Sequence, residues 1–483
     1  MAQTAAETRV LEAAALEGLR AGLRGEVISP ADETYEDARR VWNGAIDRRP
    51  AVMARCVGVA DVIAALGFAR EQELTIAVRG GGHNVAGFGT CDGGIVIDLS
   101  AMKGVRVDPA RRRGWAQGGL TWGEFDHETQ AFGLATTGGV NTTTGLAGFT
   151  LGGGIGWLMR EYGLGADNLV GADVVTADGE LVSTDADHEP ELLWGLRGGG
   201  GNFGVVTSFD FQLHPVGPTI LGGAVLYRAD RGRDLLRFYA EWTKTLPTEL
   251  STLFVFITAP PEPFIPAELH GTAMVGVALC YTGPVVDGEA ALRPLRDFGA
   301  SAVDIVMPIP YTVLQALFDS TAPRGIHAYW KTEYLDDLND AVIEVLVTQA
   351  AAMNGLSPFT TIHVHHLEGA VQNPPPGGSA FSHRDPRFVL NIVGNCTNDE
   401  PSAPHIQWAR DTWDAIRTHS SGDPYLNFLG DEGADQVRAA YGSDTFTRLV
   451  ALKDRYDPTN LFRINQNIPP HMTEEKTLSL IHI

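Results

Sequence analysis

The apolar positions of this 483-residue chain fall into short blocks whose spacing alternates between helix and strand. Residues 1–27, rich in Ala, Leu and Glu, predict a helix or a leader. Tyr35–Asn43 and Val59–Glu71 carry helix-like spacing. Leu74–Val78 and Ile95–Leu99 are brief apolar runs bounded by glycine, the pattern of buried strands. Gly104–Val107 and Arg113–Gln117 continue the strand signal, Leu120–Phe132 predicts a helix, and Leu169–Thr176 and Val205–Leu213 predict strands rich in Val and Phe.

The pattern changes after Pro215. Segments 220–227, 251–259, 272–281, 360–367 and 388–394 have strand length, with helical spacing between them at 231–245, 285–297 and 335–353. This order predicts an α+β region with a largely antiparallel sheet. The Pro-rich stretch 373–378 predicts a loop. Trp408–Thr418 and Thr445–Tyr456 predict amphipathic helices, and 457–470 is too irregular for either element. Boundaries are expected near 215 and near 430. At about 150 residues per domain, the length suggests two or three domains.

Composition narrows the function classes. Asp plus Glu number 59 against 36 Lys plus Arg, a net charge of −23 that disfavours nucleic acid and anionic lipid as partners. No run of about 18 apolar residues predicts a membrane span. The first residues lack a basic start followed by an apolar core, so no secretory leader is expected and a cytoplasmic location is. Cys56, Cys91, Cys280 and Cys396 are too few and too scattered for a disulfide scaffold or a zinc ribbon, and reduced thiols are expected. Glycine is the outlier, with 56 residues, concentrated between Gly80 and Gly204.

Three glycine clusters carry the chemistry. The first is VRGGGHN, Val78 to Asn84, after a strand. Consecutive glycines let backbone N–H groups approach a ligand, which suits phosphate oxygens; a tight turn is the plainer alternative. The second, Thr137 to Gly156, combines glycines at 138, 139, 145, 148, 152, 153, 154 and 156 with small hydroxyl residues. It predicts a long loop against an extended polar ligand. The third, Arg197 to Gly204, contains a formal dinucleotide pattern. Yet a helix-like ELLWGLR precedes it and a strand follows, the reverse of a nicotinamide-binding fingerprint.

In IHVHHLEG (362–369), His363 and His365 share one face of a probable strand, and His366 and Glu368 share the other. The residues alone leave two readings, a His-x-His metal site or a wall facing a ligand.

VRGGGHN, DGGIVIDLS, GLAGFTLGGGIGWLMREYGLGADNL, VVTADGE, RGGGGNFGVVT and the terminal DPTNLFRINQNI, taken in order, resemble flavin-linked oxidases of the vanillyl-alcohol oxidase type. The nearest group is the bacterial branch of the berberine-bridge-enzyme-like oxidoreductases. The resemblance covers nearly the whole chain. It implies an α+β fold: a two-lobed FAD-binding domain over 28–215, a substrate domain over 216–430 built on an antiparallel sheet backed by helices, and a segment over 431–483 that returns to the FAD-binding domain.

The resemblance also implies roles for single residues. His83 matches the histidine bonded covalently to the 8α carbon of the flavin. Asn141 stands where many relatives carry a second linking cysteine, so a single link is expected. Arg79, Gly80, Gly81, Gly82, Asn84 and Gly87 match the diphosphate loop. Gly138, Gly139, Thr143, Gly145 and Gly148 match positions near the phosphates, ribityl chain or ring. Val206 matches the adenosine end, and Asn465 and Asn467 lie near the ring or its pocket. Thr144 takes the place of a small apolar residue that gates oxygen. Tyr425 and Asn427, in PYLNFLG, match the Y-x-N motif beside the flavin, with Tyr425 either the catalytic base or an aromatic packed near the ring. Tyr311, Gln315, Lys331, His383 and Arg384 match recurrent structural or pocket positions.

The implied activity is an FAD-dependent oxidase. It takes a hydride from a small-molecule alcohol, sugar, amine or phenolic metabolite and reduces oxygen to hydrogen peroxide. The alternatives are a flavin dehydrogenase using another acceptor, a non-catalytic flavin-binding protein, and a metal-binding protein centred on His363, His365 and His366. No metal site is expected in the first reading.

Overall fold

The computed structural model describes residues 11–420 and 422–471. The apolar tail SLIHI and the first ten residues of the expected N-terminal helix lie outside them; within them, Ala13–Gly22 is helical.

Two small sheets come first along the chain. The strands Val52–Arg55, Ile95–Asp98 and Ile76–Arg79 run parallel, with Glu26–Ile28 antiparallel at the edge. Their apolar runs are buried on both faces, as parallel strands require, and helix Val59–Glu71 packs Val62, Ala65, Leu66 and Ala69 against Ile95 and Ile97. The second sheet is antiparallel, in the order Val105–Asp108, Arg113–Gln117, Val205–Gln212, Leu169–Val175, Leu181–Thr184.

The third sheet is large and antiparallel throughout. Its order is Val303–Asp304, Thr219–Arg228, Ala273–Tyr281, Leu250–Thr258, Thr361–His366, Phe388–Cys396, His327–Leu335, with Met307–Pro310 also paired to Thr219–Arg228. Helices Gly232–Trp242, Val285–Asp297, Asp340–Ala351 and Ser402–Ile416 cover one face. Their Leu236, Tyr239, Leu292, Ile343, Leu346 and Trp408 pack on Phe254, Val277, Ile362, Val364, Leu390 and Ile392. Because strand side chains alternate, His363, His365, Asn391, Val393 and Asn395 turn to the other face.

After this sheet the chain packs on the earlier lobes. Leu426, Leu429, Tyr441, Leu449 and Ile468 share a core with Trp122, Phe125, Phe209 and Phe211. Phe462 joins the core of the first sheet. A fully buried ion pair holds this return: Lys453 Nζ lies 2.7 Å from Asp457 Oδ2 and donates to the carbonyls of Asn202 (2.9 Å) and Phe462 (3.0 Å). Asp457 also accepts from the N–H groups of Leu461 and Phe462. These bonds give order to a segment with no helix or strand of its own.

Several elements depart from the sequence pattern. The expected helix Tyr35–Asn43 stops at Ala38. Beyond it, tertiary partners take the polar groups: the Trp42 N–H donates to Gly82 O, and the Asn43 amide donates to Val85 O and Ala328 O. The glycine-rich loop contains a short helix, Leu146–Leu151, and a second, Met159–Tyr162, follows it. Strand His327–Leu335 escaped the pattern because it is covered on both sides. Lys331 and Glu333 face helix Ser402–Ile416, where Lys331 sits 4.3 Å from the Trp413 ring and Glu333 accepts from Trp413 Nε1 at 2.5 Å. Trp330 faces the opposite side.

Candidate functional site

One cavity runs between the two small sheets and the open face of the large one. The first and second glycine clusters meet along it. A Cβ built on Gly81 would stand 2.4 Å from Gly145 Cα and 2.5 Å from Gly145 N, so the loops touch backbone to backbone. Neither position admits a side chain, and this contact brings VRGGGHN beside GLAGFTLGGG. The second loop is also tied to the large-sheet region. The Asn141 amide donates to Phe318 O at 2.9 Å, and Thr142 N–H donates to the Asp319 carboxylate at 2.8 Å.

Arg79, Gly80, Gly81, Gly82, His83 and Asn84 line the cavity, as do Gly139, Asn141, Thr144, Gly145, Gly148, Val206, Tyr425, Asn427 and Asn465. Gly87, Gly138, Thr143 and Asn467 do not line it. Gly87 packs against Ile46, Gly138 lies over Trp122, Thr143 is exposed, and Asn467 borders an adjoining cavity. The Arg79 guanidinium points away from the cavity into a cage of carbonyls. It donates to Gly89, Ala38 and Arg39, which pins the loop from behind.

His83 is half-buried at the junction. Its ring stacks on Trp42, with centroids 5.1 Å apart and an interplanar angle of 18°. Burial, with a smaller effect from the Arg324 charge, lowers the imidazole to about 4, so it is neutral at physiological pH. A neutral imidazole keeps a nucleophilic lone pair. None of the four cysteines lines the cavity, and all four are buried and free of disulfides.

Tyr425 is buried, and its phenol oxygen accepts three hydrogen bonds: from Gly154 N–H (2.9 Å), Ile155 N–H (3.3 Å) and Asn427 Nδ2 (3.0 Å). Burial drives the phenol up to about 12, and the three donors pull the other way. Donors aimed at one oxygen favour its anion. Asn427 is itself oriented by a second bond to Phe149 O.

From the large sheet come Leu253, Thr361, His363, His365, Asn391, Val393 and Asn395, with Trp330 from His327–Leu335. His363 and His365 line the wall together. His366 turns to the other face, bonded to Glu368 at 2.5 Å and packed on Phe388, so the three imidazoles do not converge. Among the described residues, no group of three or more His, Cys, Asp or Glu could hold a metal ion. Tyr311, Gln315, Lys331, His383 and Arg384 do not line the cavity. Gln315 bonds to Asp126, and Arg384 to Asp167.

Sequence reasoning missed Trp42, Trp330, Phe428, Phe318, Asn391 and Asn395, all on the cavity wall. The strand pattern over 388–394 contained a signal for Asn391, since it is the polar residue among Val, Leu and Ile.

The cavity fits an extended dinucleotide such as FAD. Glycine backbone approaches it closely along one side, and the Asn465 carbonyl oxygen is buried without a partner. No helix among the described residues is long and apolar enough to cross a membrane.

Comparison with known proteins agrees with this geometry. Residues 50–185 match an FAD binding domain, and residues 424–469 match a domain described as berberine and berberine like. An FAD-linked oxidoreductase of Dictyostelium discoideum is 33% identical over 453 residues, covering 93% of this chain and 95% of that protein. The (R)-6-hydroxynicotine oxidase of Paenarthrobacter nicotinovorans is 30% identical, covering 93% and 97%. Among solved structures, 6-hydroxy-D-nicotine oxidase from Arthrobacter nicotinovorans superposes with a TM-score of 0.84 at 29% identity, covering 93% and 98%.

Proposed function

Because the chain belongs to the berberine-bridge-enzyme-like FAD-linked oxidoreductases of the vanillyl-alcohol oxidase type, we propose that it is an oxidase holding its flavin covalently through His83. The observation that carries this is the contact of Gly81 with Gly145, which sets His83 and Tyr425 on one cavity.

In this reading the N–H groups of residues 80–84 would hold the diphosphate. Gly139, Gly145 and Gly148 would contact the phosphates, ribityl chain or ring, Val206 would meet the adenosine end, and Asn465 would hold the ring or its pocket. Gly87, Gly138, Thr143 and Asn467 shape these loops from outside the cavity. The His83 imidazole, neutral and steadied by Trp42, would hold the flavin by a single link at the 8α carbon, with Asn141 leaving the second position unlinked. Bound in this way, FAD supplies the acceptor for a hydride from the substrate C–H bond.

The protein must also take the proton from the adjacent O–H or N–H. Tyr425 is the group for this, since Gly154, Ile155 and Asn427 stabilise negative charge on its oxygen. Loss of the hydride and this proton leaves a C=O or C=N bond. Oxygen then takes up two electrons and two protons, giving hydrogen peroxide. The substrate is a small alcohol, sugar, amine or phenolic metabolite, and the protein works in the cytoplasm.

Three measurements test the reading. The purified protein should be yellow, and its flavin should stay with the polypeptide as a fluorescent band on a denaturing gel. Substrate should bleach it under nitrogen, and peroxide should appear in air. Extractable flavin would refute the link, and failure to bleach across an alcohol, sugar and amine panel would refute catalysis. Bleaching without peroxide would assign a dehydrogenase instead.

A further inference from the structure

Where the lobe carrying the glycine loops meets the large-sheet region, two short helices pack together. Trp122 and Asp126 stand one turn apart on Trp122–Gln130, and Tyr311 and Gln315 one turn apart on Tyr311–Gln315. All four side chains are buried, and Asp126 is only 1% exposed. Gln315 Nε2 donates to Asp126 Oδ2 at 2.7 Å. The other halves of these two groups, Asp126 Oδ1 and Gln315 Oε1, have no hydrogen-bond partner. A carboxyl and an amide pair through both ends only when the carboxyl carries a proton. Ionised, Asp126 offers two accepting oxygens to one donor. Protonated on Oδ1, it donates to Gln315 Oε1 while Oδ2 keeps its bond from Nε2, so one proton satisfies both idle acceptors.

The surroundings supply no cation to replace that proton. Asp126 belongs to no ion pair among the described residues, and Glu124, His127 and Glu128 on its own helix are exposed. Of the two strands beside that helix, Leu134–Ala135 has no titratable group, and Val105–Asp108 has the exposed Arg106 and Asp108, which turns to Arg111. From Tyr311–Gln315 comes the Tyr311 phenol, with the Cys280 thiol near it, both pushed up by burial. On Thr219–Arg228, Tyr227 bonds to Leu295 O and Arg228 is exposed. An ionised carboxylate buried here loses its hydration with no counter-charge in return. Burial, opposed by the Gln315 donor, raises Asp126 to about 7.

This joint bears on the cavity. A Cβ built on Gly138 would stand 2.7 Å from the Trp122 ring and 3.1 Å from Gln315 Nε2, so the Gly138 backbone rests on both. Gly139, the next residue, lines the cavity. Trp122 also meets Phe149 edge to face at 5.1 Å. Phe149 O accepts from Asn427, which donates to the Tyr425 oxygen.

We propose that Asp126 is a proton-binding site that locks this joint. With the proton bound, the acid–amide pair holds the Gly138–Gly139 backbone in place; its loss puts an unpaired charge between the lobes and loosens that backbone. Asp126 lines no part of the cavity and is a positioning residue. Its effect on the flavin rests on the reading of the cavity as the flavin site.

The test compares the holoprotein with Asp126→Asn, whose amide makes the same two bonds to Gln315 with no proton to lose. The ratio of wild-type to variant unfolding constants in urea reads the proton alone. The folded carboxyl holds its proton more tightly than the unfolded one, which titrates near about 3.9, so stability present at low pH is lost as pH rises toward 7 and is constant beyond. The ratio should rise about tenfold per unit from pH 5 toward 7 and level off above pH 8. Visible circular dichroism of the flavin, recorded in a Tyr425→Phe background to remove that phenol, should pass through a transition near neutral pH. Adding Asp126→Asn should abolish the transition and fix the low-pH spectrum. Infrared spectra of wild type labelled with carbon-13 aspartate should show a label-shifted protonated-carboxyl band at pH 5.5 that is gone at pH 8.5, a readout that stands even where the variant fails to fold. A ratio that does not change with pH, or the lack of a label-shifted band, overturns the proton site. A flavin transition that persists with Asp126→Asn, or none in its presence as aspartate, overturns its hold on the cavity. A colourless protein would sink the cofactor reading, while the urea and infrared measurements would still decide the proton site.

Discussion

Trp42 lies flat against the imidazole of His83, and its indole Nε1 donates to Ala322 O at 2.9 Å. The next residue, Asn43, donates to Val85 O and Ala328 O and accepts from Ala328 N–H. Two side chains thus fasten the His83 loop to the strand that carries Trp330. Trp42→Ala should lower the fraction of polypeptide bearing covalent flavin, with total bound flavin less affected. Trp42→Phe, which keeps a stacking ring, should retain most of it. Gel fluorescence relative to total flavin absorbance reads both, and an unchanged fraction in Trp42→Ala would dismiss the role.

Tyr425→Phe should slow anaerobic flavin reduction by about 10²-fold or more at saturating substrate, the usual contribution of a positioned base. Burial raises the wild-type phenol toward about 12, so the tyrosinate fraction grows as pH rises. Reduction by the wild type should therefore accelerate with pH across the neutral to alkaline range, and this dependence should vanish in the variant. Stopped-flow absorbance checks both outcomes.

Gly81→Ala should abolish flavin binding. The added methyl would overlap Gly145 backbone at 2.4–2.5 Å, and backbone cannot rotate away as a side chain can. Such overpacking costs about 1–3 kcal/mol or more. The purified variant should be colourless and melt earlier; a yellow protein with unchanged melting would contradict the contact.

Lys453→Met should destabilise the fold by about 3–5 kcal/mol, because it leaves the Asp457 carboxylate buried without its cation. The loss should appear as a lower denaturant midpoint. If the variant unfolds at the wild-type midpoint, the pair does not anchor the return of the chain.

Stability should fall on acidification from about pH 6.5 toward 4. His214, His363 and His366 are depressed to about 4 and His365 to about 3, chiefly by burial. The unfolded chain, with imidazoles near 6.5, binds protons in that window that the folded state refuses, so acid favours unfolding. Asp126 and Glu333, raised to about 7 by burial, act in the opposite sense over nearly the same window. The four imidazoles outnumber them, so the melting temperature at pH 5 should lie below that at pH 7. An equal or higher value would show that the imidazoles are not held neutral.

The glycine motifs were legible in the sequence because their requirement is local. Only glycine permits the approach of residue 81 to residue 145, and its position along the chain announces a close backbone contact before the partner is known. His83 follows in the same motif, and strand periodicity already set His363 and His365 apart from His366. Lys331 and Glu333 hid their strand, since a helix supplies a buried partner for each and removes the alternation that reveals a half-exposed strand.

What the sequence determined by itself is the α+β class, the glycine loops and the likeness to flavin-linked oxidoreductases, because all three are written in neighbouring residues. What tertiary structure decided is the other wall of the cavity. Trp42 comes from the chain just past a helix that stops at Ala38, Trp330 from a concealed strand, and Asn391 from a strand whose partner gives it His363 as a neighbour. Their meeting depends on long-range pairing, burial and the loss of charge on two imidazoles, and none of these is encoded in the spacing of residues along one segment.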